Sequence, residues 1–219
     1  MMKKRHPFNS NLHLWYDPVW NSYPVMVYQG PLIVEYLQRI NDTLWRATTD
    51  HPRTWIIRVD LRFPTVGEFQ DEHFMSRFLA SLKAQIKADQ EHKARQGSRV
   101  HPCHLRAVWA REQELSSHPH FHIALMLNKD AYYRLGNFWS QEGNMAARIT
   151  KAVASALGLH FDEAKGLAHF SDKGSWILDV NSFDFEYQRA MVIERLSYLA
   201  KAATKYYGSY SNHFGYSRS

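Results

Sequence analysis

The amino-acid sequence predicts an α+β fold, in which an antiparallel β-sheet is covered by helices on one face. Two observations support this class. Apolar residues alternate with polar ones along some segments and recur every three or four residues along others, which is typical of half-buried strands and amphipathic helices respectively. These segments follow one another in the order helix, strand, helix, strand, strand, helix, strand, helix, an order that suggests an α+β sandwich.

The helices are predicted from their apolar spacing and from the residues at their ends. The first helix begins with Pro31, a residue common at the first helical position, and His51-Pro52 breaks the pattern. Each later helix is followed by a glycine, which is a common residue just beyond a helix end. The predicted helices cover residues 31–49, 69–96, 145–157 and 183–207.

The strands are predicted from alternation. Trp55, Ile57 and Val59 alternate with more polar neighbours, so segment 54–63 reads as a strand with one buried face. A turn near Ser116-Ser117 joins the next two strands into a hairpin. The remaining predicted strands cover residues 105–114, 120–127 and 175–180.

The chain divides into three parts on this interpretation. Residues 1–30 are rich in aromatic residues, Asn and Pro without a clear period, which predicts an irregular N-terminal arm. Residues 31–207 hold all the predicted helices and strands and form one domain. Residues 208–219 are predicted to be a flexible C-terminal tail.

Amino-acid composition indicates the cellular compartment of the protein and the kind of partner it binds. The formal net charge of +6 favours an anionic partner such as nucleic acid. A single cysteine, Cys103, excludes an internal disulfide framework and fits a reducing compartment. No apolar run approaches membrane-spanning length, and no apolar stretch follows the basic N-terminus. We therefore expect a cytoplasmic protein with no membrane partner.

The most informative local feature is the pair His120 and His122. Successive side chains of a strand point to opposite faces, so these two imidazoles project from the same face a few Å apart. Phe121 and Ile123 then point to the other face and can enter a core. A strand presents two histidines to one divalent cation in this way.

The predicted hairpin supplies a third ligand. If the turn lies at residues 115–117, paired residue numbers sum to 232, and Glu112 lies directly opposite His120. Opposed Cβ atoms are about 5 Å apart, so one cation can bridge both side chains. Two imidazoles and one carboxylate leave coordination positions open for substrate oxygens. Glu114 is the alternative third ligand. The expected cofactor is Mg²⁺ or Mn²⁺, and two nitrogen ligands favour Mn²⁺.

The last predicted helix presents a tyrosine beside two lysines. At about 100° per residue, Tyr198, Lys201 and Lys205 lie together and opposite an apolar side. A phenol with a pKa of about 10 is a weak nucleophile while it is protonated. Nearby ammonium groups and a metal ion favour its attack on a phosphate. The apolar side comprises Val192, Leu196, Leu199 and Ala203.

Three blocks in this order resemble the HUH endonucleases, the metal-dependent nickases that start rolling-circle replication or plasmid transfer. Residues 59–64 (VDLRFP) resemble the first, strand-borne block. Residues 108–112 (VWARE) with 119–122 (PHFH) resemble the metal block of phage gene-A-type initiators. Residues 198–205 (YLAKAATK) resemble their nicking helix. Within that class the chain is similar to inovirus gene-2-type and prophage YagK/YfjJ-like proteins from about residue 30 to 207.

The resemblance implies an HUH-type fold and a site-specific nick in single-stranded or origin DNA through a 5′-phosphotyrosine intermediate. It implies initiation of rolling-circle replication of a phage or mobile element in the cytoplasm of a bacterial host cell, with host replication proteins as possible partners. Tyr198 would be the nucleophile, and Lys201 and Lys205 would support the phosphate and bind DNA. Arg58, Asp60 and Arg62 share a strand face, where they could contact DNA, orient the site or form a structural ion-pair set.

One position departs from the gene-A pattern. The second tyrosine of that pattern falls on Ala202. Initiators with two tyrosines alternate them to nick and then rejoin. Here Tyr198 would have to perform both steps, or Tyr206 or Tyr207 would serve as the second nucleophile.

Two other functions remain open at this point. Residues 118–124 (HPHFHIA) also fit the histidine-triad pattern of nucleotide hydrolases, in which a histidine is the nucleophile and no metal is needed. A basic DNA-binding regulator that retains the fold without activity is the second alternative.

Overall fold

The computed structural model describes residues 4–64, 73–112, 120–203 and 212–218, and within them the α+β class is confirmed. The five helices of the described residues are α1 (Val34–Asp50), α2 (Phe74–Arg95), α3 (Met145–Leu157), α4 (Phe161–Ala164) and α5 (Phe185–Ser197). The described strands are β1 (Lys4–His6), β2 (Asn9–Trp15), β3 (Val19–Trp20), β4 (Tyr23–Pro24), β5 (Leu32–Ile33), β6 (Arg53–Leu61), β7 (Arg106–Glu112), β8 (His120–Asn128), β9 (Ala168–Asp179) and β10 (Phe214–Tyr216).

The central sheet has five antiparallel strands in the order β10-β7-β8-β6-β9. Helices cover both of its faces, so the prediction of helices on one face is wrong. Strands β6, β7 and β8 carry apolar side chains on both sides: Trp55 and Ile57 pack towards α2 and α3, whereas Ile56 and Val108 pack towards α1 and α5. A strand with two apolar faces must be covered twice, which alternation of residue types does not reveal.

The first three predicted helices are confirmed, with small shifts at their ends. Helix α3 runs over the predicted range, and its Asn144 side chain accepts a hydrogen bond from the Ala147 backbone N–H. It ends at Gly158, whose φ of 70° lies in the left-handed region that glycine adopts without strain. None of the helices in the described ranges is both long and apolar enough to cross a membrane.

The last predicted helix is too long. Helix α5 ends at Ser197, a 3-10 turn covers Tyr198–Ala200, and Lys201 then forms a β-bridge with Leu32. The backbone N–H of Ala202 donates to the Pro31 carbonyl. Pairing with this earlier segment ends the helix, and a periodicity argument cannot foresee such a tertiary contact. Lys205, Tyr206 and Tyr207 lie outside the described residues.

The two ends of the chain contain strands where we predicted irregular structure. Strand β2 pairs with β1 and β5 in a three-stranded sheet, and the buried Trp20 and Val25 join the core under α1 and α5. Strand β10, within the predicted flexible tail, pairs with β7 at the edge of the central sheet. These strands have between two and seven residues, and most are too short to show a period.

Strand β9 is longer than the predicted 175–180 strand. Its pairing with β6 jumps from Val59 opposite Phe170 to Ile57 opposite Ser175, which leaves residues 171–174 as an insertion beside Arg58. A bulge of this kind interrupts the alternation of apolar and polar residues along a strand. The first part of β9 therefore could not be recognised as a strand from its sequence.

Candidate metal centre

The hairpin of β7 and β8 has the predicted register. Glu112 lies opposite His120, and every other pair of this ladder also sums to 232. Residues 113–119 fall outside the described ranges, and with them Glu114, the alternative ligand. The predicted set of Glu112, His120 and His122 therefore lies at one end of the sheet, on the face covered by α1 and α5.

These three side chains form a cluster that could hold a metal ion. Each offers one ligand atom, and the three atoms lie within 4.8 Å of one another. Glu112 Oε2 lies 3.8 Å from His120 Nε2 and 3.4 Å from His122 Nε2. Glu112 is only 1% exposed, and burial of a carboxylate is costly unless positive charge or hydrogen bonds compensate it. A divalent cation between the three atoms would supply that charge.

Asp60 on β6 orients His122. The two residues are directly opposite in the β6–β8 ladder, and the Asp60 carboxylate lies 2.6 Å from His122 Nδ1. A proton on Nδ1 leaves the Nε2 lone pair directed towards Glu112, which is the arrangement of a metal-ligating histidine supported by a carboxylate. His122 Nε2 is buried and has no hydrogen-bond partner among the described residues. Both observations fit a metal ligand.

The charges around this pair shift both pKa values. Burial by itself would lower the pKa of His122, but a hydrogen bond with Asp60 and the negative charges of Asp60 and Glu112 raise it above its ordinary value. Burial by itself would raise the pKa of Asp60, but the hydrogen bond and charge of His122 and the charge of Arg58 lower it. Asp60 is thus held ionised, and the cluster attracts cations.

Tyr198 lies against the same cluster. Its hydroxyl donates to Glu112 Oε2 at 3.4 Å, and its ring centroid lies 5.3 Å from that of His122. Two cations flank the phenol: Arg58 Cζ and Lys201 Nζ each lie 4.9 Å from the ring centroid. The two groups that the sequence pointed to, the histidine pair and the tyrosine, are therefore brought into contact across 76 residues of chain.

The end of α5 fixes Tyr198 in this place. Ser197, the last residue of α5, is fully buried, and its hydroxyl accepts from the Met26 backbone N–H at 2.9 Å. The bridge between Lys201 and Leu32 holds the chain three residues later. Lys201 is consequently 6% exposed, whereas a regular helix would have placed it on the solvent side.

Of the other predicted site residues, Arg58 lies beside the cluster and Arg62 does not contribute to it. Arg58 belongs to the cluster, because its Nε lies 3.2 Å from Asp60 and its Nη2 lies 3.2 Å from His122 Nδ1. Arg62 lies one residue beyond β6 and is exposed, with its backbone N–H bonded to the Leu167 carbonyl. Lys205 lies outside the described residues.

The contact of Asp60 with His122 was not predicted from sequence, where the role of Asp60 stayed open. The sequence contains only part of the information that this contact requires. Asp60 shares a strand face with Arg58, but its contact with His122 depends on how β6 pairs with β8, and 58 residues separate the two strands. No turn fixes the register of such a pair, in contrast to the hairpin.

Comparison with known proteins places the chain in a family. Residues 17–217 match the family model described as the YagK/YfjJ C-terminal domain, and the protein belongs to this family. The match includes the candidate metal ligands, Tyr198 and strand β10, and it extends into the segments that we predicted as an irregular arm and a flexible tail.

Two relatives come from Escherichia coli strain K12. The chain is 37% identical to the uncharacterized protein YagK over 198 residues, which cover 86% of this chain and 95% of YagK. It is 31% identical to the uncharacterized protein YfjJ over 200 residues, which cover 86% of this chain and 96% of YfjJ. No solved structure matches the chain.

Proposed function

We propose that this protein is an HUH-type endonuclease that nicks and rejoins single-stranded DNA through a 5′-phosphotyrosine intermediate and requires a divalent cation, Mg²⁺ or Mn²⁺. The observation that carries the proposal is the contact of Tyr198 with Glu112 and His122. A tyrosine beside a cluster of two histidines and a carboxylate is the arrangement expected of a metal-assisted attack on phosphate.

The residues around Tyr198 suit a phenol that must lose its proton. The positive charges of Arg58 and Lys201 beside the ring favour a phenolate, and Glu112 Oε2 accepts the hydrogen bond of the neutral phenol. Glu112, His120 and His122 would hold the cation, which would polarise the scissile phosphate and neutralise charge in the transition state. Asp60 and Arg58 would keep His122 in the ligating orientation.

The reaction balances without an external energy source. The Tyr198 oxygen forms a bond to phosphorus, the bond from phosphorus to the 3′ oxygen breaks, and that oxygen leaves as a 3′-hydroxyl with a proton replacing the one lost by the phenol. Since the new phosphotyrosyl diester stores the energy of the broken one, a 3′-hydroxyl can reverse the step and reseal the strand.

A single tyrosine suits one nick and one rejoining. Ala202, which occupies the position of the second tyrosine in the gene-A pattern, is buried against Leu12, Leu14 and Ile33 rather than in the metal cluster. We propose that Tyr198 performs both steps, in initiation of rolling-circle replication of a phage or mobile element. The 3′-hydroxyl would then prime a host polymerase, and the net charge of +6 suits the DNA partner.

The decisive experiment follows which end of a cut strand stays with the protein. A pool of random-sequence single-stranded oligonucleotides is labelled with different dyes at the 5′ and 3′ ends and incubated with the protein and Mn²⁺. A denaturing gel should show the 3′ dye attached to the protein, because the phosphotyrosine forms at the 5′ end of the downstream fragment. The 5′ dye should migrate on a shorter free strand.

The control variants separate the alternative functions. Tyr198→Phe should retain Mn²⁺ and DNA binding yet form no adduct, whereas Tyr206→Phe and Tyr207→Phe should still form it. Mass spectrometry should find the nucleotide remnant on the Tyr198 peptide. A remnant on another tyrosine would contradict the assignment. Nucleotide hydrolysis that persists in EDTA would favour a histidine-triad enzyme, and DNA binding without any adduct would favour a regulator.

A further inference from the structure

The outer face of α5 and the end of β9 carry exposed apolar side chains. Of the thirteen large hydrophobic residues that are exposed in the described ranges, five fall between residues 177 and 191: Ile177, Val180, Phe183, Tyr187 and Met191. Phe183 is fully exposed, and Tyr187 is 66% exposed. Single exposed apolar residues are normal on a protein surface, whereas a contiguous group of them marks an interaction surface.

These five residues belong to one surface. The Gln188 side chain of α5 accepts a hydrogen bond from the Asp179 backbone N–H at 2.9 Å, which fixes the helix against the end of β9. Ile177 and Val180 lie at this end of the strand, and a short turn leads from there to Phe183. The exposed end of β9 and the outer face of α5 therefore form a continuous apolar patch.

The helix contributes a row of side chains at every fourth position. Phe183 lies just before α5, and Tyr187, Met191 and Arg195 follow on the same face, because residues four apart are neighbours along a helix. All four are exposed, and we call them the α5 ridge. The opposite face of α5 is buried in the core through Val192, Ile193 and Leu196.

We propose that two copies of this protein form a twofold dimer in which their α5 ridges pack antiparallel. A twofold axis between Tyr187 and Met191 places Tyr187 against Met191 of the second copy, and Phe183 against Arg195 of the second copy. A thioether beside an aromatic ring and a guanidinium over one are both favourable contacts. Rows of residues four apart interdigitate in the commonest class of helix packing. The ridge is thus complementary to itself, as an isologous interface requires.

The charges at the ends of α5 favour the antiparallel arrangement. Glu186 lies in the first turn of the helix, and Arg195 lies in the last turn. In an antiparallel pair the acidic end of each helix lies beside the basic end of the other, and the two helix dipoles attract each other. A parallel pair would bring like charges together. This complementarity favours a second copy of the chain over an unrelated apolar partner.

The exposed area fits a weak dimer. An aromatic residue has about 150–250 Å² of surface, so Phe183 and Tyr187 together expose roughly 300 Å² per copy. Two copies bring roughly 600 Å² from these rings, and Ile177, Val180 and Met191 raise the total to about the lower limit of 1,000 Å² for a specific interface. The net charge of +6 on each copy opposes association. We expect a dissociation constant of about 10–100 μM.

The arrangement keeps the two candidate metal centres apart. Tyr198 directly follows α5, so the two copies of this residue lie at opposite ends of the helix pair, roughly 25 Å apart at about 1.5 Å per residue. The second copy therefore does not supply the second tyrosine of the gene-A pattern.

Sedimentation velocity tests the dimer in EDTA and without DNA, so the outcome does not depend on whether the protein nicks DNA. At about 0.15 M salt, which screens the net charge, the mass should rise from that of one chain towards that of two between about 1 and 300 μM protein. Phe183→Ser and Tyr187→Ser should each weaken association at least about tenfold, because a ring in the interface is lost. The matched control is Phe8→Ser, at an exposed phenylalanine between β1 and β2, which should weaken it less than about twofold.

Disulfide formation tests the antiparallel register. The natural Cys103 is buried and does not interfere. Chains with Tyr187→Cys are mixed with chains with Met191→Cys and oxidised with diamide, and disulfides between the two different chains should exceed their statistical share. The proposal is overturned by a mass that stays that of one chain at every concentration. Equal losses in Phe183→Ser and Phe8→Ser, or mixed disulfides at or below the statistical share, would also overturn it.

Discussion

The two faces of the central sheet are built from the same strands and differ in what they do. On the face towards α2 and α3, every second side chain from Trp55 to Leu61 in β6 and from Phe121 to Leu127 in β8 is apolar and buried. On the face towards α1 and α5, the same strands carry the apolar Ile56, Ala124 and Met126 in their middle and then change to charged and imidazole groups. The difference shows where the apolar core ends and the candidate metal site begins within single strands.

The contrast is sharpest in β8, where neighbouring residues point to opposite faces. Phe121 is buried against Phe63, Phe74 and Trp109, whereas His120 is partly exposed beside Glu112. Burial of the charged side chains of this cluster beside an apolar layer costs free energy, because these groups lose contact with water. A bound cation or substrate can offset part of that cost. The apolar face supplies the free energy that keeps this cluster in place.

The largest effect on stability is expected on the apolar face. Phe121→Ala should lower the free energy of unfolding by about 3–5 kcal/mol, because it removes a buried aromatic ring and leaves a cavity. Urea denaturation measures this change, with an unchanged slope as the check on two-state behaviour. The matched control is the adjacent His120→Ala, which should change stability by less than about 1 kcal/mol. Equal costs for the two variants would mean that the faces are not divided as described.

For metal binding, the histidines of the same strand should matter more than Phe121. His120→Ala and His122→Ala should weaken Mn²⁺ binding by more than roughly 100-fold, since loss of a ligand should exceed the effect of losing an outer hydrogen-bond partner. Circular dichroism should show that the fold is retained. Calorimetric titration with Mn²⁺ measures the affinity, and an affinity equal to that of the unmodified protein would eliminate these residues as ligands.

A variant of Asp60 tests whether a residue that is not itself a candidate ligand affects cation binding through His122. Asp60→Asn keeps the size of the side chain but removes the charge that supports His122, so Mn²⁺ affinity should fall by about 10- to 100-fold. Asp162→Asn, at an exposed carboxylate, is the control and should leave the affinity unchanged. If both variants bind Mn²⁺ as the unmodified protein does, Asp60 belongs to a structural ion pair with Arg58.

The hairpin of β7 and β8 could be predicted from sequence because its information is local. The turn fixes the register, the register places Glu112 opposite His120, and the alternation places His122 on the same face. The amphipathic helices α1, α2 and α3 could be predicted for the same reason. Each of these elements carries its own periodicity and its own end signals.

The predictions that were wrong concern parts of the fold that depend on contacts between distant segments of the chain. The exit of the chain from α5 is set by pairing between Lys201 and Leu32, and the coverage of both faces is set by where α1 and α5 pack. The bulge opposite Arg58 and the short terminal strands likewise have no periodic signal. Tyr198 was singled out from a helix that ends just before it, so its contact with Glu112 comes from tertiary structure and not from helical spacing.

The two lysines of the predicted nicking segment, Lys201 and Lys205, should give a smaller, salt-dependent effect on DNA binding. Lys201→Gln with Lys205→Gln should weaken single-stranded DNA binding and reduce the slope of log affinity against log salt by about 1.4, because each phosphate that a lysine neutralises adds roughly 0.7 to that slope. Lys151→Gln with Lys165→Gln removes the same charge elsewhere and is the control. An unchanged slope in the first double variant would show that these lysines do not bind phosphate in the complex with DNA.

The smallest effect concerns a second buried histidine, which contrasts with His122. His51 precedes β6, at the end of the sheet away from the metal cluster, and its Nε2 accepts the His104 backbone N–H at 2.9 Å. Burial lowers the pKa of His51 below the ordinary value of 6.5, although the His104 carbonyl, 3.3 Å from Nε2, and the charge of Asp50 oppose the shift. The folded state therefore favours the neutral imidazole, whereas the neighbouring carboxylates favour protonated His122.

The sign of the effect follows from the lowered folded pKa. Between the folded and unfolded pKa values the unfolded chain binds more protons, so this contribution to stability is present above about pH 6.5 and is lost as the pH falls below it. His51→Gln keeps an acceptor for the His104 N–H but cannot titrate, so its unfolding free energy should decrease less between pH 7.5 and 5 than that of the unmodified protein. His169→Gln, at an exposed histidine, controls for removal of one imidazole. Parallel pH profiles for the His51 variant and the unmodified protein would contradict the buried neutral state.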